Sequence, residues 1–143
     1  MKFSKGSDPI LLWGPVAIYM AAIFYASSLN VIPGPVGYWF SDTLLHMACY
    51  AGLALFMLRA LAGGKWTGVS VGVVIAAWLI ATLYGVTDEW HQMYVPGRTS
   101  ELRDLVNDAA GALAALGVAG AWSIMRGPSR ADARPPSGPS HDL

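Results

Sequence analysis

Four long stretches of this 143-residue chain carry no Asp, Glu, Lys or Arg, and that absence narrows what the chain can fold into. No Asp, Glu, Lys or Arg occurs between Asp8 and Asp42, Asp42 and Arg59, Lys65 and Asp88, or Asp108 and Arg126. A helix crossing the hydrocarbon of a bilayer needs about 20 mainly apolar residues. Residues 10–29, 44–62, 68–86 and 105–125 meet that requirement. Only 13% of the residues are charged and 55% are hydrophobic, whereas a soluble domain carries about 25% charged residues. A soluble protein of this size could not bury four such segments. The expected fold class is therefore an all-α membrane protein, a four-helix transmembrane bundle over residues 1–126. Pro, Ser, Gly and Asp dominate residues 127–143, which read as a short disordered cytoplasmic tail.

Lys2 and Lys5 before an apolar run resemble the start of a signal peptide, with Ala26-Ser27-Ser28 as a weak small-residue site. The run from Ile10 to Tyr25 is long for such a segment and leads into no soluble domain, so a retained first span is expected. With four spans, the N-terminus, the connection between the second and third spans, and the C-terminus share one side. Seven of the nine basic residues lie there: Lys2, Lys5, Arg59, Lys65, Arg126, Arg130 and Arg134. The other side holds only Arg98 and Arg103. The positive-inside rule then places both termini in the cytoplasm, with residues 30–41 and 87–103 facing outward. Tyr38, Trp39, Trp90 and Tyr94 fall at the outer boundary and Trp13, Trp66 and Trp122 at the inner one, as interfacial belts require. Trp78, in mid-span, reads as a packing or lipid-facing residue.

Breakers mark the connections. Pro33-Gly34-Pro35 and Gly37 make a turn, Gly63-Gly64 ends the second helix, and Pro96-Gly97 breaks the chain after the third. Ser100 before Glu101 reads as the N-cap of the fourth helix. That helix is rich in small residues, with Gly111/Ala115 and Gly117/Ala121 as small-xxx-small pairs, so a central place in the bundle is expected for it. A Pro-Ser-Gly-Pro-Ser-His run in the tail faintly resembles a lipid-phosphatase motif, but it falls on the inner side in a disordered segment and carries no weight.

Six of the nine acidic residues fall at the outer ends of the spans: Asp42, Asp88, Glu89, Glu101, Asp104 and Asp108. Ionisable groups there are costly to desolvate, so their convergence marks a functional-site candidate. Asp42, His46 and Cys49/Tyr50 recur at i, i+4 and i+7/i+8 and share one helix face. Glu89 and Gln92 share a face if the third helix runs past Val86. Asp104, Asp108 and Gly111 align on the fourth, with Asn107 alongside. Arg98, after the Pro96-Gly97 turn, is the expected counter-charge. His91 reads as solvated, Asp88 as ambiguous, and the lone Cys49 as a small packing residue.

Several chemistries suit this set. It can be a structural ion-pair network locking the helix ends. It can be an acid–base site with His46 or Glu89 as base and Arg98 as anion clamp. A metal site drawn from Asp42, His46, Glu89 and Asp104 or Asp108 has suitable donors, but no spaced signature such as HExxH supports it, and neither metal nor cofactor is expected. Acids confined to one end argue against a complete proton path.

The ordered set resembles the VanZ-like family of small bacterial membrane proteins. The resemblance runs from about Ile23 to Gly117: Phe24-Tyr25-Ala26-Ser27-Ser28, Asp42-x-x-x-His46-x-x-x-Tyr50, Glu89-x-x-Gln92, Pro96-Gly97-Arg98 and Asp104-x-x-x-Asp108-x-x-Gly111. Two positions depart from the family pattern: Thr43 stands where Lys often follows the first Asp, and Asp108 stands where Asn is common. The resemblance implies a multi-pass protein of the bacterial plasma membrane, linked through the family's name to low-level resistance to teicoplanin, a lipoglycopeptide.

The expected function is an outward-facing polar pocket that binds a lipid head group or lipid-linked envelope precursor, built from Asp42, His46, Glu89, Gln92, Arg98, Asp104 and Asp108. The alternative is a membrane-embedded hydrolase or transferase using the same pocket, with His46 and Glu89 as the catalytic candidates. The bilayer is the expected partner, with an anionic head group besides; nucleic acid is not. The orientation is directly testable. In a Cys49→Ser background, Thr99→Cys is expected to react with an impermeant maleimide added to intact spheroplasts; labelling only after lysis would reverse the topology.

Overall fold

The computed structural model describes residues 8–29 and 41–126. Four helices form there: α1 (Pro9–Ser27), α2 (Asp42–Leu61), α3 (Val71–Gln92) and α4 (Leu102–Met125). Each is long and apolar enough to cross a membrane. Lys2, Lys5, the Pro33-Gly34-Pro35 turn with Tyr38 and Trp39, and the tail from Gly127 lie outside the described residues.

Local chemistry sets the helix ends. Asp8 caps α1, its Oδ1 accepting from the Ile10 N–H at 2.9 Å, and Pro9 takes the first turn, where an N–H is not needed. Ser41 and Ser70 cap α2 and α3 in the same way. Helix α2 closes in a Schellman motif: the Gly64 N–H bonds the Arg59 carbonyl at 2.8 Å and the Gly63 N–H bonds that of Ala60 at 3.1 Å. Both glycines adopt positive φ, 61° and 84°, which other residues resist. Pro15, inside α1, lacks the N–H that would bond the Leu11 carbonyl, and Arg59 of α2 supplies the missing donor at 3.1 Å.

Boundaries of α3 and α4 differ from the sequence expectation. Helix α3 begins at Val71 rather than residue 68, because residues 67–68 form a bend ahead of the Ser70 cap. It also runs six residues past Val86, to Gln92, carrying Asp88, Glu89 and Gln92 on helix. At the start of α4 the N-cap is Glu101, not Ser100, and its side chain makes no capping bond.

On α3 and α4 the buried stripe is mostly small or polar and the outward face large and apolar, whereas α1 and α2 bury larger residues such as Val16, Ile23, Leu53 and Met57. On α3 the stripe is Ala77, Ala81, Gly85, Asp88, Glu89 and Gln92, while Val71, Ile75, Leu79, Leu83 and Val86 are exposed. On α4 it is Asp104, Asp108, Gly111, Ala112, Leu116 and Ser123, while Val106, Leu113, Val118 and Ile124 are exposed. This inverts the pattern of a soluble bundle and suits lipid on the outside. Trp78 packs between helices, its indole N–H donating to the Ala109 carbonyl at 3.0 Å.

The hub of the bundle is α2, which packs on all three other helices; α4 packs chiefly on α2 and α3. The expected central place for α4 is thus shared, but the α2–α4 interface is the most extensive. Its closest point is Gly111, where an added Cβ would stand 2.6 Å from the Met47 Cα. Gly117 has nothing within 4 Å and faces outward. Only the first of the two small pairs therefore brings helix backbones together within this chain. Gly111→Val is expected to lower the thermal midpoint in detergent sharply, costing about 1–3 kcal/mol from overpacking. Gly117→Ala should leave the midpoint unchanged or slightly raised. Equal midpoints for the two variants would refute this account of the interface.

Candidate functional site

The antiparallel run of four helices brings the end of α1, the start of α2, the end of α3 and the start of α4 together. Their polar residues meet there in two layers. In the deeper layer His46 Nδ1 lies 2.9 Å from Asp108 Oδ1, linking α2 to α4. Asp108 is 0% exposed and His46 9%. Glu89 Oε2 accepts the Glu101 backbone N–H at 3.0 Å, so a carboxylate of α3 takes up a donor at the start of α4. Gln92 Nε2 donates to Asp88 Oδ2 at 3.3 Å and to Glu89 Oε1 at 3.4 Å. Asp104 is buried beside them.

The shallower layer is a cleft lined by Ile23, Ser27, Asp42, His46, Asp88 and Arg98, among others. It holds about 50 Å³ of water-sized space, room for a few waters or one compact group. Of the seven residues singled out from sequence, Asp42, His46, Gln92 and Arg98 line the cleft. Glu89, Asp104 and Asp108 do not line it; they are buried next to it.

Three expectations need correction. Asp88, left ambiguous by sequence, is 3% exposed and belongs to the site, its Oδ1 accepting from the Ser27 hydroxyl at 2.7 Å. The signal was there in Asp88 and Gln92 at i, i+4, together with the Ser27-Ser28 pair. His91 is half-buried rather than freely solvated: its ring stacks on Phe24, centroids 4.1 Å apart, and Nε2 lies 3.0 Å from the Ser28 hydroxyl. Arg98 is not paired with the acids. Its Nε is buried without a partner, and among the described residues no carboxylate stands within 4.0 Å of its guanidinium. The nearby surface pair Arg103–Glu101, at 3.2 Å, is exposed and contributes little.

Arg98 is placed by its turn. Val95-Pro96-Gly97-Arg98 closes with the Arg98 N–H on the Val95 carbonyl at 3.1 Å, and Gly97 has φ 82°, as the third position of a type II turn needs. The turn reverses the chain straight after α3 and returns Arg98 to the cleft.

The ordered elements at this end coincide with a known sequence family: the VanZ/LLP1 profile matches residues 10–124. The chain belongs to the VanZ/LLP1 family. No curated protein and no solved structure matches it. Family membership and four helices of spanning length make it a multi-pass membrane protein. In this VanZ/LLP1 member, groups that can serve as metal donors converge twice on His46: with Asp42 and Asp104, and with Glu89 and Asp108.

Polar groups shielded from water need partners, and removing one exposes the cost. Ser27→Ala leaves Asp88 Oδ1 without its donor and is expected to destabilise the protein by about 1–3 kcal/mol, read as a lowered unfolding midpoint in detergent. Ser28→Ala, at a less buried position, should cost clearly less. The reverse order would mean that Asp88 is hydrated rather than held by Ser27.

Proposed function

We propose that this VanZ/LLP1 protein captures the anionic head group of a membrane lipid or lipid-linked envelope precursor in an outward-facing cleft, with Arg98 as the anion clamp. The observation that carries this reading is Arg98 lining a cleft at one end of a membrane bundle, its Nε buried without a partner among the described residues. A guanidinium that forgoes the neighbouring carboxylates keeps its donor fork available for phosphate or carboxylate. The apolar walls Ile23, Ala26 and Leu45 give an acyl chain a surface to lie against. Asp42, His46, Glu89, Gln92, Asp104 and Asp108 organise the pocket around that group.

Both termini are cytoplasmic in this reading, because seven of nine Lys and Arg residues lie on the side away from the cleft. The bundle occupies residues 1–126 and the remainder is a cytoplasmic tail. The cleft then opens to the leaflet where lipid-linked wall precursors and lipoglycopeptides meet, which is how the protein would influence susceptibility to such drugs.

The His46–Asp108 pair favours a second reading, hydrolysis or transfer on the bound lipid. A carboxylate at Nδ1 orients an imidazole for proton transfer through its other nitrogen. One experiment addresses both. Gently purified wild-type protein is expected to carry a phospholipid or lipid-linked precursor detectable by mass spectrometry, and Arg98→Ala to lose at least about 90% of it, the tenfold change of one lost charged contact. Equal lipid on both proteins, with the variant folded, would remove the clamp. Conversion of that lipid by wild type but not by His46→Ala would decide for catalysis.

A further inference from the structure

We infer that His46, Glu89 and Asp108 form a binding site for one divalent cation, with Asp104 as the adjoining carboxylate. A nitrogen of His46 and carboxylate oxygens of Glu89 and Asp108 lie within 4.8 Å of one another, and all three residues are buried. A second group, Asp42, His46 and Asp104, satisfies the same distance and shares the imidazole.

Proximity of acids is common and proves nothing alone. The independent observation is a set of orphaned oxygens. Among the described residues Asp104 Oδ1 and Asp108 Oδ2 have no hydrogen-bond partner, in residues only 4% and 0% exposed. Asp104 offers its carboxylate within 4.8 Å of His46, so it faces the cluster. Buried carboxylate oxygens without a donor are rare, because each forfeits the hydration that water supplied. Charge points the same way. Asp88, Glu89, Asp104 and Asp108 are all buried at this end, and among the described residues His46 is the only basic group bonded to any of them below the surface. Arg98 stands off, and Arg103 reaches Asp104 only at 3.8 Å from an exposed position. A divalent ion meets both deficits together, since it neutralises two carboxylates and coordinates the unpaired oxygens.

The donor set defines the class of ion. One imidazole with carboxylate oxygens suits Mn²⁺, Zn²⁺ or Fe²⁺ better than a thiolate-seeking metal. The Tyr50 ring and Asp108 Oδ2 both approach the point where a Gly85 Cβ would sit, at 3.3 and 3.0 Å, and the Tyr50 hydroxyl is buried without a partner among the described residues.

The test uses Mn²⁺ as the probe, with full-length protein in phosphatidylcholine nanodiscs stripped by chelator and empty nanodiscs as background. About one retained ion per chain is expected, with pulsed electron paramagnetic resonance showing a single directly bound nitrogen, as one imidazole ligand requires. His46→Ala, checked for helicity, should lose that nitrogen signal. Asp108→Asn should weaken binding about 10–100-fold. Wild-type protein that retains no Mn²⁺ above background overturns the site whatever the variants do. So does an ion whose nitrogen signal survives in folded His46→Ala. The assay contains no anionic lipid and leaves Arg98 intact, so its failure would leave the head-group reading standing, and failure of lipid capture would leave this one standing.

Discussion

The backbone of α4 meets the backbone of α2 at Gly111 and Met47, and the geometry of the polar end follows from that contact. Met47 adjoins His46 in sequence, and Gly111 lies one turn from Asp108. When the two backbones touch there, the imidazole and the carboxylate come within 2.9 Å of each other. A bulkier residue at 111 would push the helices apart at the level where the pair forms. Gly85 of α3 extends the same logic, since Asp108 Oδ2 occupies the space its missing side chain leaves. In lipid, where apolar burial drives helix association only weakly, such close backbone approach is a principal source of attraction. Here it also sets the distance between the site's acids and its histidine.

The two ends of the bundle treat polar groups differently. At the end away from the cleft, the Leu11 carbonyl freed by Pro15 accepts from Arg59, the Val69 N–H donates to the Ser123 hydroxyl oxygen, and the last turn of α2 closes on its own glycines. At the cleft end, five of the six buried polar atoms without partners in the described residues are found: in Tyr50, Arg98, Asp104, Asn107 and Asp108, with Thr82 the sixth. Natural sequences are consistent across levels except where function exacts a cost. Described residues that pair their groups at one end and leave them open at the other point to a demand at the open end besides stability.

Much of this was legible in the sequence, and what escaped it did so for physical reasons. Charge-free runs gave the four helices, because the bilayer constraint is one-dimensional and length suffices to detect it. The shared faces of Asp42 with His46, and of Asp104 with Asp108, follow from helical period alone. Periodicity could not choose between Asp88 and Glu89, which differ by one residue on the same helix. Both are used because α3 is flanked on two sides: Asp88 turns to Ser27 of α1, and Glu89 to the start of α4. Nor could it show which small-residue pair of α4 faces a neighbour, since Gly111 and Gly117 have equivalent contexts in sequence and opposite surroundings in the fold. His91 was misread because its partners, Phe24 and Ser28, lie more than 60 residues away. Arg98 was assigned to the acids from its charge and its Pro-Gly turn; it does line the cleft with Asp42 and Asp88, but among the described residues no carboxylate stands within 4.0 Å of its guanidinium.

His46 is the joint between the two layers. It lines the cleft with Asp42, Asp88 and Arg98, and it is held from behind by Asp108, which does not line the cleft. Any group entering the cleft therefore meets a ring whose orientation is set by a carboxylate the group cannot reach. A cation bound among His46, Glu89 and Asp108 would present positive charge from the floor while Arg98 presents it from the turn, so that one small anion between them is met on two sides. The ion would neutralise two of the four buried carboxylate charges and so weaken their repulsion of that anion. Without such an ion the four buried acids would oppose the capture that Arg98 is placed to perform, and the two proposals, though tested separately, explain together why so acidic a cluster lies beside an unpaired arginine.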